Sequence, residues 1–260
     1  MEFLKAAKRR SLWSEVAYIT LNVMLVLAIL GVVWAIESPI PAFGLVLLSK
    51  WRIFAVRPRY WFAHVQSNMV DIIVSLSLVV LLYAASGSWI AQVGIALLYV
   101  VWLLALKPRS KRLLIVIQAA VSLFVGTTAI ALVSYDWYAS VVVLLFWIIG
   151  YSTGRHVLAA YGQEAHISFL SLIWGFIIAE IGWLTYHWTI AYDLIGVGAI
   201  KLPQVAIIVT FLSFLAERVY ASYSKNGKIR SNDVVLPVLL SVSVIALLLV
   251  FFNGLTTSLN

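Results

Sequence analysis

Two constellations in the chain carry side chains able to do chemistry, and both lie in or beside long apolar runs. The first centres on Glu180, within Trp174-Gly-Phe-Ile-Ile-Ala-Glu-Ile-Gly-Trp183. A carboxylate at membrane depth costs several kcal/mol unless it is neutral, paired or facing a polar cavity, so function is its first reading. His187 follows at i+7, on the same helical face. A protonatable Glu with a nearby His suits a proton relay. The competing reading is a neutral Glu hydrogen-bonded between helices.

Lys201 belongs to the same region. If the eighth apolar run starts at Leu194, Lys201 enters the bilayer by about 10 Å at 1.5 Å per residue. It would then meet Glu180 at similar depth as an ion pair. If the run starts near Pro203, Lys201 is an outer-loop residue. A retinal-bearing lysine finds no supporting pattern around it.

The second constellation is a polar stripe. Tyr60, His64, Asn68, Asp71 and Ser75 recur at spacings of three and four, which puts them on one helical face. Such a face could line a vestibule. It could also build an enzyme site, with His64 and Asp71 as base and orienting carboxylate. Arg57 and Arg59 would then hold a phosphate. The plainer reading is an interfacial helix whose polar side meets water and head groups.

Arg155, His156, Glu164 and His166 suggest metal by type, but their spacing fits no ligand motif, and no metal site is predicted. Gly-rich phosphate loops, nucleophile elbows and HExxH do not occur, so no cofactor is predicted. The chain has no cysteine, which removes thiol catalysis and disulfides. Gly150-x-x-x-Gly154 offers a place for two helices to approach closely, a spacing common by chance.

The elements that must position these residues follow from composition. The chain is 63% hydrophobic and 11% charged. Its mean hydropathy is +1.04. Soluble domains are about 45–50% apolar and about 25% charged. The predicted fold class is therefore an all-α integral membrane protein, a polytopic helical bundle forming one domain over residues 1–260. Each crossing needs about 20 apolar residues. The predicted spans are about 12–36, 39–56, 69–85, 89–106, 113–133, 137–153, 167–188, 194–216 and 234–252. The second is the weakest, because Lys50 and Arg52 interrupt it and must snorkel to the interface. Gly/Pro interruptions in matched halves, the mark of broken transporter helices, are not evident.

Charge supplies the orientation. Seventeen of eighteen Lys and Arg fall into five clusters that nine crossings gather on one side, Lys201 being the exception. Short cytoplasmic loops are rich in Lys and Arg, so the N-terminus is expected in the cytoplasm and the C-terminus outside, in a bacterial-type inner membrane. Anionic head groups on the cytoplasmic face are the expected partner of this charge, with Arg57, Arg59, Lys107 and Arg109 as contacts. Nucleic acid is not needed to explain the net charge of +8. Other membrane proteins remain possible partners. Three functions stay open: a small-solute or proton-coupled transporter using Glu180, a subunit of a membrane complex, and an enzyme acting on a lipid-linked or phosphorylated substrate. An enzyme is the less expected.

Overall fold

The computed structural model describes residues 12–162, 164–187, 190–193, 200–251 and 257–258. The basic cluster at Lys5, Lys8, Arg9 and Arg10 lies outside them, as does the alternative helix start at Leu194.

The first described helix is α1 (Leu12–Ala35), apolar throughout from Val23 to its end. Glu37-Ser-Pro39 turns it into α2 (Ile40–Ser49), with a proline in the first turn where its missing N–H costs nothing. Then α2 stops. At ten residues it is only about 15 Å long, half the ~30 Å of a bilayer core. Lys50 caps it, and Trp51–Ile53 form a single tight turn. Arg57 is extended (φ −58°, ψ 138°), as the following Pro58 requires. The predicted second span is therefore a half-length helix followed by irregular chain.

Beyond Pro58 a tight turn leads into α3 (Trp61–Ala84), the most buried helix of the bundle. Next comes α4 (Trp89–Val101), whose first turn is capped by Ser88 Oγ accepting from the Ala91 N–H at 3.4 Å. It widens into a π turn at Trp102–Leu106 before Lys107-Pro-Arg109. The helices α5 (Arg112–Val133), α6 (Ala139–Ala159) and α7 (Ile167–Leu184) follow with short connections.

A small antiparallel sheet closes one end. It comprises β1 (Ile190–Asp193), β2 (Lys201–Pro203) and β3 (Thr257–Ser258), with β1 central. Asp193 stands opposite Lys201 in its register. Then α8 runs over Gln204–Asn226 and ends on the left-handed Gly227 (φ 66°), and α9 covers Ser231–Phe251. The eighth helix thus starts ten residues later than Leu194, and Lys201 precedes it in a strand.

Among the described residues, eight helices are long and apolar enough to cross a membrane, and α2 is the short ninth. The core has two adjoining parts. Val26, Ile29, Val46, Val74, Leu82 and Tyr99 join α1 to α4. Ile73, Leu123, Phe146, Ile149, Ile178 and Val209 join α3 to α5–α8. Gly150 and Gly182 bring α6 and α7 close: a Cβ on Gly150 would sit 2.7 Å from Ile178 Cβ, and one on Gly182 2.5 Å from Phe146 Cγ.

Candidate functional site

Asp71 is the residue around which the bundle gathers its charge. It lies thirteen residues from either end of the helical stretch Pro58–Ala84, which puts it at mid-length. Its Oδ2 accepts from Lys50 Nζ, and Lys107 Nζ stands 2.8 Å from the same oxygen. Trp102 Nε1 donates to Oδ1 at 3.0 Å. Ser75 and Tyr99, both fully buried, lie beside the carboxylate.

Each partner is delivered by a departure from regular helix. Lys50 arrives because α2 ends early, and its backbone N–H closes on the Leu47 and Leu48 carbonyls. The carbonyl end of a helix carries partial negative charge, so an ammonium group is favoured there. Trp102 opens the π turn and Lys107 closes it through its N–H to the Trp102 carbonyl at 2.9 Å. Single π turns of this kind occur often at functional sites.

Burial divides the two lysines. Lys50 is 6% exposed, whereas the Lys107 side chain is 34% exposed. One carboxylate thus holds a sealed cation and a second that reaches the basic end of the bundle. Burying a charge is tolerated only when it is paired and hydrogen-bonded, and Asp71 satisfies both lysines at once.

The polar stripe is cut in two by this arrangement. Asp71 and Ser75 are buried, while Tyr60 and His64 are exposed at the start of α3. Asn68 turns its amide back to the His64 carbonyl at 2.8 Å. His64 is not among the hydrogen-bond partners of Asp71, so the two do not form the expected base and orienting carboxylate. Arg57 and Arg59 are exposed, and Arg59 stacks over the Tyr60 ring at 4.6 Å. Arg109 is exposed and lends its carbonyl to Gln118 Nε2 at 2.9 Å.

Glu180 faces outward on α7, one turn from its end. His187 is exposed beyond that end, edge-on to Tyr186 with ring centres 4.8 Å apart. Lys201 is half-buried and opposite Asp193. Among the described residues no ion pair within 4 Å joins Glu180 to Lys201. Lys201 lies in β2 just before α8, as the alternative start of that run near Pro203 requires.

A second charged cluster sits at the basic end, around Glu217 of α8. Tyr161 donates to Glu217 Oε1 at 3.1 Å, and Arg112 at the start of α5 bonds Tyr161 and lies 3.6 Å from the same oxygen. Arg112 also covers the Tyr161 ring at 3.8 Å. Burial and the Glu217 carboxylate push the Tyr161 hydroxyl up to about 12. Nearby, Tyr220 and the His166 N–H both donate to Glu164 and hold its carboxyl below the ordinary range. His156 bonds Gln118 at 2.8 Å, and Arg155 donates to Ser168 at 3.2 Å.

In the sequence Lys50 and Asp71 belong to different predicted spans, and Glu217 stands in no motif. Opposite charges inside neighbouring predicted spans were the available sign that Lys50 and Asp71 belong together.

No family model matches the chain, and neither a curated protein nor a solved structure does.

Proposed function

We propose that the protein is a proton-coupled permease for a small solute, with Asp71, Lys50 and Lys107 as its working centre. One observation carries the reading: a buried carboxylate at the midpoint of the most buried helix binds a lysine that caps a half-length helix. Ionisable groups inside membrane segments mark ion and substrate pathways. Non-helical backbone at membrane depth is tolerated only where protein or a water-filled cavity shields it. Broken helices whose ends face charged groups are how many secondary carriers build their sites.

The chemistry follows from charge balance. With all three groups ionised the centre carries one surplus positive charge. Protonating Asp71 removes the counter-charge from both lysines, so Lys50 must release a proton or move toward water. Lys107, about a third exposed, offers the route. The permease reading therefore moves from Glu180 to Asp71. Proteoliposomes carrying a pH-sensitive dye test it: an added solute should drive proton movement through the wild type and not through Asp71→Asn.

In this reading the basic loops face the cytoplasm of a bacterial-type inner membrane. The α2 helix and residues 50–57 together complete a crossing, so that nine crossings result. Absence of native cysteine makes single-cysteine reporters unambiguous. Ser110→Cys and Ser224→Cys should label only from the cytoplasmic side, and Ser86→Cys only from the other. Labelling of Ser86→Cys and Ser110→Cys from one side would overturn the topology.

A subunit role in a larger membrane complex is the second reading. It is favoured by Glu180, which stands exposed beside Phe176, Trp183 and Leu184. Failure of every solute to move protons, with a membrane protein co-purifying from native membranes, would select it.

A further inference from the structure

Away from the Asp71 centre, α6, α7 and α8 part to leave a crevice of about 180 Å³. Its walls are Val157, Leu158, Leu170 and Trp174, with Ser213 and Ala216 from α8 and with Glu217 and Tyr220 at its polar end. Gly154 sets its shape: a Cβ there would lie 2.8 Å from Trp174 Cδ1 and push that ring aside. Arg112, the first residue of α5, meets Glu217, so this polar end is level with a helix terminus, where head groups lie. Apolar walls below and charge above form the profile of a lipid, not of a water-soluble ligand.

Glu217 lines the polar end, and Arg218, the next residue in the chain, stands beside it with a side chain 42% exposed. Glu217 is 8% exposed, and its Oε2 accepts no hydrogen bond, although Arg218 Nε lies 3.4 Å away. Arg218 Nε donates none. The two form an ion pair without a hydrogen bond, so acceptor and donor each keep capacity for a further partner. A ligand head that both donates and accepts would satisfy the two together.

We propose that this crevice is a specific phospholipid site, selective for head groups bearing a hydrogen-bond donor. The phosphate would accept from Arg218, and an ammonium or hydroxyl of the head would donate to Glu217 Oε2. The volume is below the roughly 300–1,000 Å³ of a site that engulfs a whole drug-sized ligand, so it takes a section of one acyl chain. Phosphatidylethanolamine and phosphatidylglycerol carry the donor. Phosphatidylcholine, with a quaternary ammonium, does not.

Native mass spectrometry of the full-length protein, released from nanodiscs with equal amounts of the three lipids, tests the proposal. The wild type should retain phosphatidylethanolamine or phosphatidylglycerol over phosphatidylcholine by roughly tenfold, the worth of one hydrogen bond to a charged group. Glu217→Ala should erase that preference. Ala216→Phe, which fills the crevice and leaves the ionic groups in place, should lose retention of all three lipids. Equal retention of phosphatidylcholine by the wild type, or unchanged retention by Ala216→Phe, would overturn it. The wild-type comparison stands even if a variant fails to fold.

Discussion

Asp71 pairs with two ammonium groups at once, so its removal changes more than one contact. Asp71→Asn leaves Lys50 sealed in the bundle without a counter-charge. Breaking a buried pair from one side typically costs about 3–5 kcal/mol, far more than the pair contributes net. Thermal unfolding in detergent should therefore show Asp71→Asn strongly destabilised. Lys107→Ala should be much milder, since that lysine is partly solvated. The double variant Lys50→Met, Asp71→Leu should recover most of the loss. A double variant as unstable as Asp71→Asn would mean that the charges are not coupled. The types of these residues were plain in the sequence, but their pairing was not. Lys50 and Asp71 are 21 positions apart, and nothing local reveals that a helix will end early enough to bring the lysine inward.

At the scale of elements, the regular helices were legible and the irregular ones were not. Long apolar runs fix where α1, α4 to α7 and α9 lie, because lipid leaves the backbone no partner but itself, whereas α3 starts at Trp61, eight residues before its predicted span. Three features depend on tertiary contacts instead: the early stop of α2, the π turn after α4, and the strand that delays α8. The first two shift a charged residue from its expected place, Lys50 moving inward and Lys107 aiming at Asp71, while the third decides between two expected starts and keeps Lys201 out of α8. The glycine spacing in α6 was visible, yet only the packed bundle shows that α7 answers it. Gly182→Ala forces a methyl into Phe146, and overpacking of this kind costs about 1–3 kcal/mol. Detergent melting should fall accordingly, while Gly94→Ala, which meets nothing within 4 Å, should leave it unchanged. Equal effects at the two sites would contradict the tight seam.

The described residues form two adjoining helical cores with a charged centre in one and a crevice of about 180 Å³ at the edge of the other. Composition alone sets the membrane class, since so apolar a chain cannot cover itself with polar surface in water. Function was less legible, because it rests on which charges meet across helices. The Glu180 and Asp71 readings separate in one experiment. Wild type, Glu180→Gln and Asp71→Asn are reconstituted at matched amounts into dye-loaded vesicles, and solute-driven proton movement is recorded. Glu180→Gln should show wild-type movement and Asp71→Asn none. Full activity in a folded Asp71→Asn protein, or loss confined to Glu180→Gln, would contradict it.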